Sequence, residues 1–150
     1  MIDLVQKVFD TRSDPSQISV SQRTMTRLSK IHPATLTERR TKEGPIAWML
    51  IFPTTKRLMD LFLQKKISEK ELLRKTPIGT QYDALYLCSA LVLPEYRKKR
   101  VASKLMVQAI RSIRKDHAVQ FLFYWSFSRA GRRLSLSVAK EVGLPIFQRR

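Results

Sequence analysis

Residues that build disulfides and metal sites are scarce in this chain of 150 residues. It has one cysteine, Cys88, and two histidines, His32 and His117. A single cysteine cannot form an internal disulfide, and this set of cysteine and histidine has no metal-ligand spacing. No low-complexity tract or internal repeat is present. We therefore expect a globular domain with neither a disulfide framework nor a structural metal.

Long apolar runs are also missing. No apolar stretch approaches the roughly 18 residues of a membrane span. The first fourteen residues lack the long apolar segment of a signal peptide. Together with the single cysteine, this predicts a cytoplasmic protein without a membrane partner. A length of 150 residues with 43% hydrophobic residues predicts one domain, residues 1–150, with its own core.

Acidic residues are few compared with basic ones. Lys and Arg number 29 against 12 Asp and Glu, which gives a formal net charge of +17. Such an excess indicates a polyanionic partner, either nucleic acid or a phosphorylated ligand, and does not choose between them. A charged, solvated exterior without such a partner is the alternative explanation.

The apolar pattern predicts alternating strands and helices. Residues 36–42 and 46–52 flank the turn Glu43-Gly44 as in a hairpin. A helix between the two later strands predicts that these strands are parallel. The strands are predicted at residues 36–42, 46–52, 84–93, 119–127 and 144–148, and the helices at 20–31, 55–66, 68–75, 102–115 and 128–142, while residues 2–9 fit a strand or a helical turn equally well. The predicted fold class is α/β (α+β mixed sheet), with three layers and a central mixed sheet flanked by helices.

The stretch from Tyr86 to Met106 combines a strand, a basic turn and a helix. An apolar run ends at Leu93-Pro94, the turn Arg97-Lys98-Lys99-Arg100 follows, and an amphipathic pattern begins at Val101. This geometry points backbone N–H groups and the positive end of a helix at a phosphate. We therefore predict a phosphorylated cofactor here. A nucleic-acid phosphate would suit the same helix end, although no nucleic-acid-binding motif accompanies it.

The segment Leu91-Val92-Leu93-Pro94-Glu95-Tyr96-Arg97-Lys98-Lys99-Arg100-Val101-Ala102 resembles the acetyl-CoA-binding motif of the GNAT N-acetyltransferase superfamily, [QR]-x-x-G-x-[GA] after a strand. Arg97 matches the first position of the motif, Ala102 matches the last, and Arg100 stands at the glycine. The helix end at residues 139–144 is similar to the family's closing L-Y-E-K-x-G-F. The element order over residues 34–148 also resembles the family, with the helices of residues 55–75 as an elaboration.

The resemblance implies an acyl-CoA-dependent N-acyltransferase. In this family a deprotonated primary amine attacks the thioester of acetyl-CoA, or of another acyl-CoA, in a ternary complex. It also implies that main-chain groups of Leu91 and Leu93 pair with the pantetheine arm, while the amides of residues 98–102 hold the pyrophosphate. The implied cofactor-binding residues are Leu91, Val92, Leu93, Arg97, Lys98, Lys99, Arg100, Val101, Ala102, Ser103 and Arg132, and no metal is implied.

The family's catalytic positions are not matched in this chain. The position of the family's glutamate base falls on Tyr86, and the position of its tyrosine acid falls on Ala139, with Ser135 nearby. Tyr86 and Ser135 are therefore the candidate catalytic residues, and no motif identifies the amine acceptor. The alternative function is a basic nucleic-acid-binding module, or a catalytically degenerate module of the GNAT fold, with nucleic acid bound nonspecifically by the basic surface. Cys88, inside an apolar run, is predicted to be an inert buried thiol.

Overall fold

The architecture is known from a computed structural model that describes residues 21–97, 99–125 and 128–150. The segment at residues 2–9, which fits a strand or a helical turn, lies outside the described residues. The described residues form five strands and five α-helices around one sheet. In chain order these are α1 (Gln22–Ile31), β1 (Leu36–Thr41), β2 (Gly44–Thr54), α2 (Lys56–Leu63), α3 (Glu69–Lys75), β3 (Ala84–Val92), a 3-10 turn (Pro94–Tyr96), α4 (Val101–Asp116), β4 (Phe121–Tyr124), α5 (Arg129–Val142) and β5 (Ile146–Gln148).

The sheet is mixed, and its strands follow the order of the chain, β1-β2-β3-β4-β5. β1, β2 and β3 pair in antiparallel fashion. β3, β4 and β5 pair in parallel fashion. The predicted fold class is therefore confirmed: a mixed α/β sheet between two layers of helices, with a hairpin first and a parallel pair joined by a helix.

The two faces of the sheet build two separate cores. Ile51, Leu85 and Leu122 point to one face and pack beneath α4 and α5. Phe52 and Phe123 point to the other face and pack against α1, α2 and α3. Because successive side chains of a strand alternate between the faces, a strand buried on both sides reads as a continuous apolar run. This explains why residues 46–52 are almost entirely apolar.

Helix ends lie where the sequence places capping residues. Thr55 and Ser128 cap α2 and α5 by accepting hydrogen bonds from the amides of the first turn. Ser68 and Glu71 form a capping box at the start of α3, in which each side chain accepts a hydrogen bond from the backbone amide of the other residue. Gly143 ends α5 with φ of 73°, in the left-handed region that glycine adopts without strain.

Several strand and helix boundaries differ from the sequence prediction. β2 begins at Gly44 and so includes Pro45. β4 spans Phe121–Tyr124 rather than residues 119–127, and its parallel pairing with β3 covers the same four residues. α2 ends at Leu63, and Lys65 has a φ of 63°, which is incompatible with a continuing helix.

Candidate functional site

The parallel strands β3 and β4 separate halfway along β3. Their pairing ends at Leu87 and Tyr124, whereas β3 continues to Val92. At the same level β3 contains a bulge. Leu50 of β2 pairs with Ser89, and the next residue, Ile51, pairs with Leu87, so Cys88 is the extra residue of the bulge. A bulge bends its strand and increases the local twist. The free half of β3 therefore turns away from β4 and opens a cleft.

This cleft has a volume of about 750 Å³ and lies between β3, the end of β4 and the first turns of α4 and α5. Its volume falls in the range of a small-molecule or cofactor site. Its walls include eight of the residues that the sequence predicts for cofactor binding or catalysis: Leu91, Val92, Arg97, Arg100, Val101, Ala102, Ser103 and Ser135. Leu93, Lys99 and Arg132 do not line it, and Lys98 lies outside the described residues.

Main-chain groups on the free edge of β3 face the cleft at alternate residues. The amide of Leu93 donates to the carbonyl oxygen of Ile46 at 2.9 Å, so it points to β2. By the alternation of an antiparallel ladder, Leu91 also points to β2, while Ala90 and Val92 point away from it. The main-chain groups that are free to face the cleft are therefore those of Ala90 and Val92, each one residue away from the predicted Leu91 and Leu93. The carbonyl of Val92 accepts a hydrogen bond from Arg97 Nε at 3.0 Å.

The mouth of the cleft is formed by the turn that leads into α4. Arg100 is the N-terminal capping residue of α4, and its side chain makes no capping hydrogen bond. The first amide bonded within the helix is that of Lys104, which donates to the carbonyl of Arg100 at 3.0 Å. The helix offers no acceptor to the amides of Val101, Ala102 and Ser103. These three residues line the cleft, and their end of the helix carries a partial positive charge.

Arg100 adopts the left-handed conformation, with φ of 62° and ψ of 20°. This is the position at which the family motif has glycine. A side chain in this region costs about 1–2 kcal/mol because Cβ approaches the following carbonyl oxygen. Arg100 therefore holds a conformation that glycine would adopt without this strain.

The cation of α5 that reaches the cleft is Arg133 rather than Arg132. The cleft-lining residues Ala130, Arg133, Leu134 and Ser137 are spaced three and four residues apart and form one side of α5. Arg132 lies off this side, because each residue advances an α-helix by about 100°. The sequence shows the helical period of α5, but it does not show which side of α5 faces the cleft.

Tyr86 lies outside the cleft, on the opposite face of the sheet. Its side chain has no exposed surface and packs among Phe52, Phe62 and Phe123. Its hydroxyl donates a hydrogen bond to Oε2 of Glu69, which is 3% exposed and belongs to α3. Burial, and then the Glu69 carboxylate, raise the pKa of Tyr86 well above its ordinary value. The phenol thus stays protonated, and the geometry supports a packing role for Tyr86 rather than that of a base.

Serines and tyrosines are the polar groups in the inner part of the cleft. Ser135 lines it and is 6% exposed, whereas Ala139, one turn later, packs into the core instead. Ser89 lines the cleft at the bulge, and its buried hydroxyl has no hydrogen-bond partner within the described ranges. Tyr124 lies where the strands separate, with its hydroxyl 3.3 Å from Oε1 of Gln148. Sequence reasoning missed Ser89 because it lies within an apolar strand.

Cys88 is half-buried and lines the cleft at the bulge. The prediction of a fully buried thiol is therefore too strong, because the bulge places this residue at the opening between the strands. No carboxylate and no histidine is among the described residues that line the cleft.

A second polar cluster lies away from the cleft, at the ends of α1 and α4. The buried His32 accepts a hydrogen bond at Nδ1 from the amide of Ala34, at 3.0 Å. Its Nε2 therefore carries the proton and donates to Oδ2 of Asp116, at 2.7 Å. The ring of His117 lies 5.9 Å from that of His32. Burial, and then the nearby His32, lower the pKa of His117 below its ordinary value.

The described residues contain no cluster of three or more His, Cys, Asp or Glu side chains arranged to hold a metal ion. None of the described helices is long and apolar enough to cross a membrane.

Comparison with known proteins adds no identification. No family model matches this chain, and no curated protein matches its sequence. The resemblance of residues 91–102 to the GNAT motif therefore stays a prediction, and the cleft is the feature that bears on function.

Proposed function

We propose that this chain is an acyl-CoA-dependent N-acyltransferase of the GNAT kind, which transfers an acetyl group to a primary amine. One observation carries the proposal. Two parallel strands separate at a bulge, and the resulting cleft has at its mouth a basic turn and the first-turn amides of α4, to which the helix itself offers no acceptor. Acetyl-CoA has the matching chemistry, with an amide-containing arm that can extend along a strand and phosphates at one end.

In this proposal the pantetheine arm lies along the free edge of β3. Its amide groups pair with main-chain groups of Ala90 and Val92, as an added strand pairs with an exposed sheet edge. The carbonyl of Val92, which now accepts a bond from Arg97 Nε, becomes available when that side chain moves toward the phosphates. The Val92 carbonyl would then exchange the hydrogen bond from Arg97 for one from the ligand, and neither group would be left without a partner.

The pyrophosphate lies at the first turn of α4. The amides of Val101, Ala102 and Ser103 donate to its oxygens, and the helix end favours the negative charge. Arg97, Arg100 and Arg133 line the same part of the cleft, and bidentate guanidinium contacts suit phosphate. Ala102 has to remain small, because a bulky side chain there would keep the phosphates away from the backbone.

The transfer step needs an uncharged amine and a proton donor for the leaving thiolate. The amine nitrogen attacks the thioester carbonyl carbon and the C–S bond breaks; the new amide nitrogen then gives up one proton, and the leaving thiolate takes up one, so that no net proton is gained or lost. Because no carboxylate lines the described part of the cleft, the amine loses its proton to water, with the hydroxyl of Ser89 as a hydrogen-bonding partner. Tyr124, at the point where the strands separate, is the phenol in position to protonate the thiolate. The single cysteine suggests the cytoplasm as the place of action.

The function is tested by release of free CoA thiol from acetyl-CoA in the presence of a panel of primary amines. The panel contains lysine, spermidine and peptides with a free N-terminus. We expect amine-dependent release by the unmodified protein, loss of release in Ala102→Trp, and retained release in Ala118→Trp. The control carries the same substitution at an exposed loop residue that does not line the cleft. Equal activity in the two variants would contradict the placement of the cofactor.

A second candidate is a CoA-binding module without catalysis. It is favoured by the absence of a carboxylate or histidine from the described walls of the cleft. The same assay separates the two functions. Binding of acetyl-CoA that depends on Ala102, with no thiol release above background for any amine, would establish the second candidate in place of the first.

A further inference from the structure

The exposed side of α4 carries a row of polar and basic residues. Lys104, Gln108, Arg111 and Lys115 are all exposed and follow the spacing i, i+4, i+7, i+11. Because an α-helix has 3.6 residues per turn, this spacing places them on one side of the helix. The row extends over about 16 Å at a rise of 1.5 Å per residue.

α5 carries a row with the same spacing. Arg129, Arg133, Leu136 and Lys140 are exposed, and Arg132 is exposed beside them. Its opposite side packs into the core through Leu134, Val138 and Val142.

The two rows lie on the same surface of the protein. α4 and α5 pack against one core and cover one face of the sheet. They run in the same direction, because each connects parallel strands, β3 to β4 and β4 to β5. Neighbouring packed helices lie about 8–10 Å apart. We call this surface the two-helix face, defined by the exposed residues of α4 and α5.

The two-helix face is almost purely cationic. The two helices contain eight cations and two acids, Asp116 and Glu141, both in a last turn. Among the described residues, the ion pair that involves either helix joins Asp116 to His32. The opposite layer is different, because α2 and α3 carry the ion pairs Lys56–Asp60 and Arg74–Glu71. The charge of the two-helix face is therefore not neutralised within the described part of the molecule.

We infer that the two-helix face is a docking surface for double-stranded nucleic acid, which it contacts through the phosphodiester backbone. Over about 16 Å of axis a duplex carries about nine phosphates, and the two rows bring six cations to this length, so most of them can each meet a phosphate. The helices lie flat on the sheet, so neither enters a groove to read bases. The rows contain no aromatic residue on which unpaired bases could stack. Leu136 is the one large apolar residue of the two rows, and a single apolar side chain buries too little area to hold these helices on a membrane surface.

The test is binding of a fluorescent 24-base-pair duplex, as DNA and as RNA, over a series of salt concentrations from 50 to 200 mM. Six cations of the two rows reach the face: Lys104, Arg111, Lys115, Arg129, Arg133 and Lys140. If all six contact phosphate, the slope of log K against log salt is about −5, and affinity falls about a thousandfold over this range. Both duplexes should bind with similar affinity, because only phosphates are contacted.

A triple variant locates the surface. Arg111→Ala, Lys115→Ala and Lys140→Ala remove cations from the later turns, away from the cleft, and should make the slope shallower by about three. The control replaces Arg57, Lys66 and Lys70 by Ala, which removes the same charge from exposed residues of the opposite layer. The control should keep the slope of the unmodified protein. Acetyl-CoA binding should be unchanged in both variants, so this test stands apart from that of the proposed function.

Several results would overturn the inference. An equal loss of slope in the control would show that net charge alone attracts the duplex. Equal affinity at 100 mM salt for single-stranded oligothymidine, for polyglutamate or for phosphatidylserine vesicles would show that the face has no preference for a duplex. A more than tenfold preference for one of the two duplexes would reveal a specific reader that the two rows do not provide.

Discussion

Replacing Arg100 by glycine should stabilise the protein, although it removes a side chain at the mouth of the cleft. Arg100 has φ of 62° and makes no side-chain capping bond. Removal of Cβ relieves the strain of the left-handed conformation and stabilises the folded state by about 1–2 kcal/mol. The greater freedom of glycine in the unfolded chain costs about 0.5–1 kcal/mol. The net gain is about 0.5–1 kcal/mol, which for this length corresponds to a rise in Tm of about 1–4 °C.

Arg100→Ala is the matched control for this prediction. It removes the same charge and the same side-chain contacts but keeps Cβ in the left-handed region, where alanine remains strained. Thermal melts followed by circular dichroism at one salt concentration compare the two variants. The glycine variant should melt above the alanine variant and above the unmodified protein. Equal melting temperatures for glycine and alanine would refute the left-handed conformation of residue 100 and, with it, the shape of the turn.

Three further changes test other parts of the structure. Tyr86→Phe leaves the buried Glu69 carboxylate without its phenol partner and should cost about 1–3 kcal/mol of stability. Because the pKa of Tyr86 is raised in the folded state, its contribution is complete below pH of about 10 and is lost above it. The variant should therefore lose stability less steeply than the unmodified protein in melts above pH 10. The pKa of His117 is lowered in the folded state, so the unfolded chain takes up a proton at a higher pH than the folded protein does. This difference makes the folded protein less stable as the pH falls. His117→Asn removes it, and the decrease of Tm between pH 7.5 and 5.5 should be smaller in the variant than in the unmodified protein. Tyr124→Phe should lower the rate of thiol release about tenfold or more without changing acetyl-CoA affinity, if the phenol protonates the thiolate.

Most of the fold could be predicted from local signals. The hairpin, the parallel pair and the capped helices follow from apolar period, turn residues and capping residues such as Thr55, Ser68 and Gly143. Their success reflects agreement between local preference and tertiary packing. The bulge at Cys88 could not be predicted, because it depends on the register between two strands and leaves no mark in an apolar run.

The candidate site was predictable only where a contiguous motif forms it. Arg97, Arg100 and the first turn of α4 lie in one stretch of the sequence, and they line the cleft together. The choice between Arg132 and Arg133 depends on how α5 is rotated against the sheet, which tertiary packing decides. The hydrogen-bond partner of Tyr86 also depends on tertiary packing. Tyr86 belongs to β3, and Glu69 belongs to α3, which packs over the sheet and buries the carboxylate.

The central claim is that the cleft between β3 and β4 binds acetyl-CoA, and a thermal melt with and without this ligand tests it most directly. ATP at the same concentration serves as the polyanion control. At about 100 times the dissociation constant, binding adds about 2.7 kcal/mol of stability. For a chain of this length the account predicts a rise in Tm of about 5–10 °C with acetyl-CoA and little change with ATP. An equal rise with both ligands, or no rise with either, would contradict it.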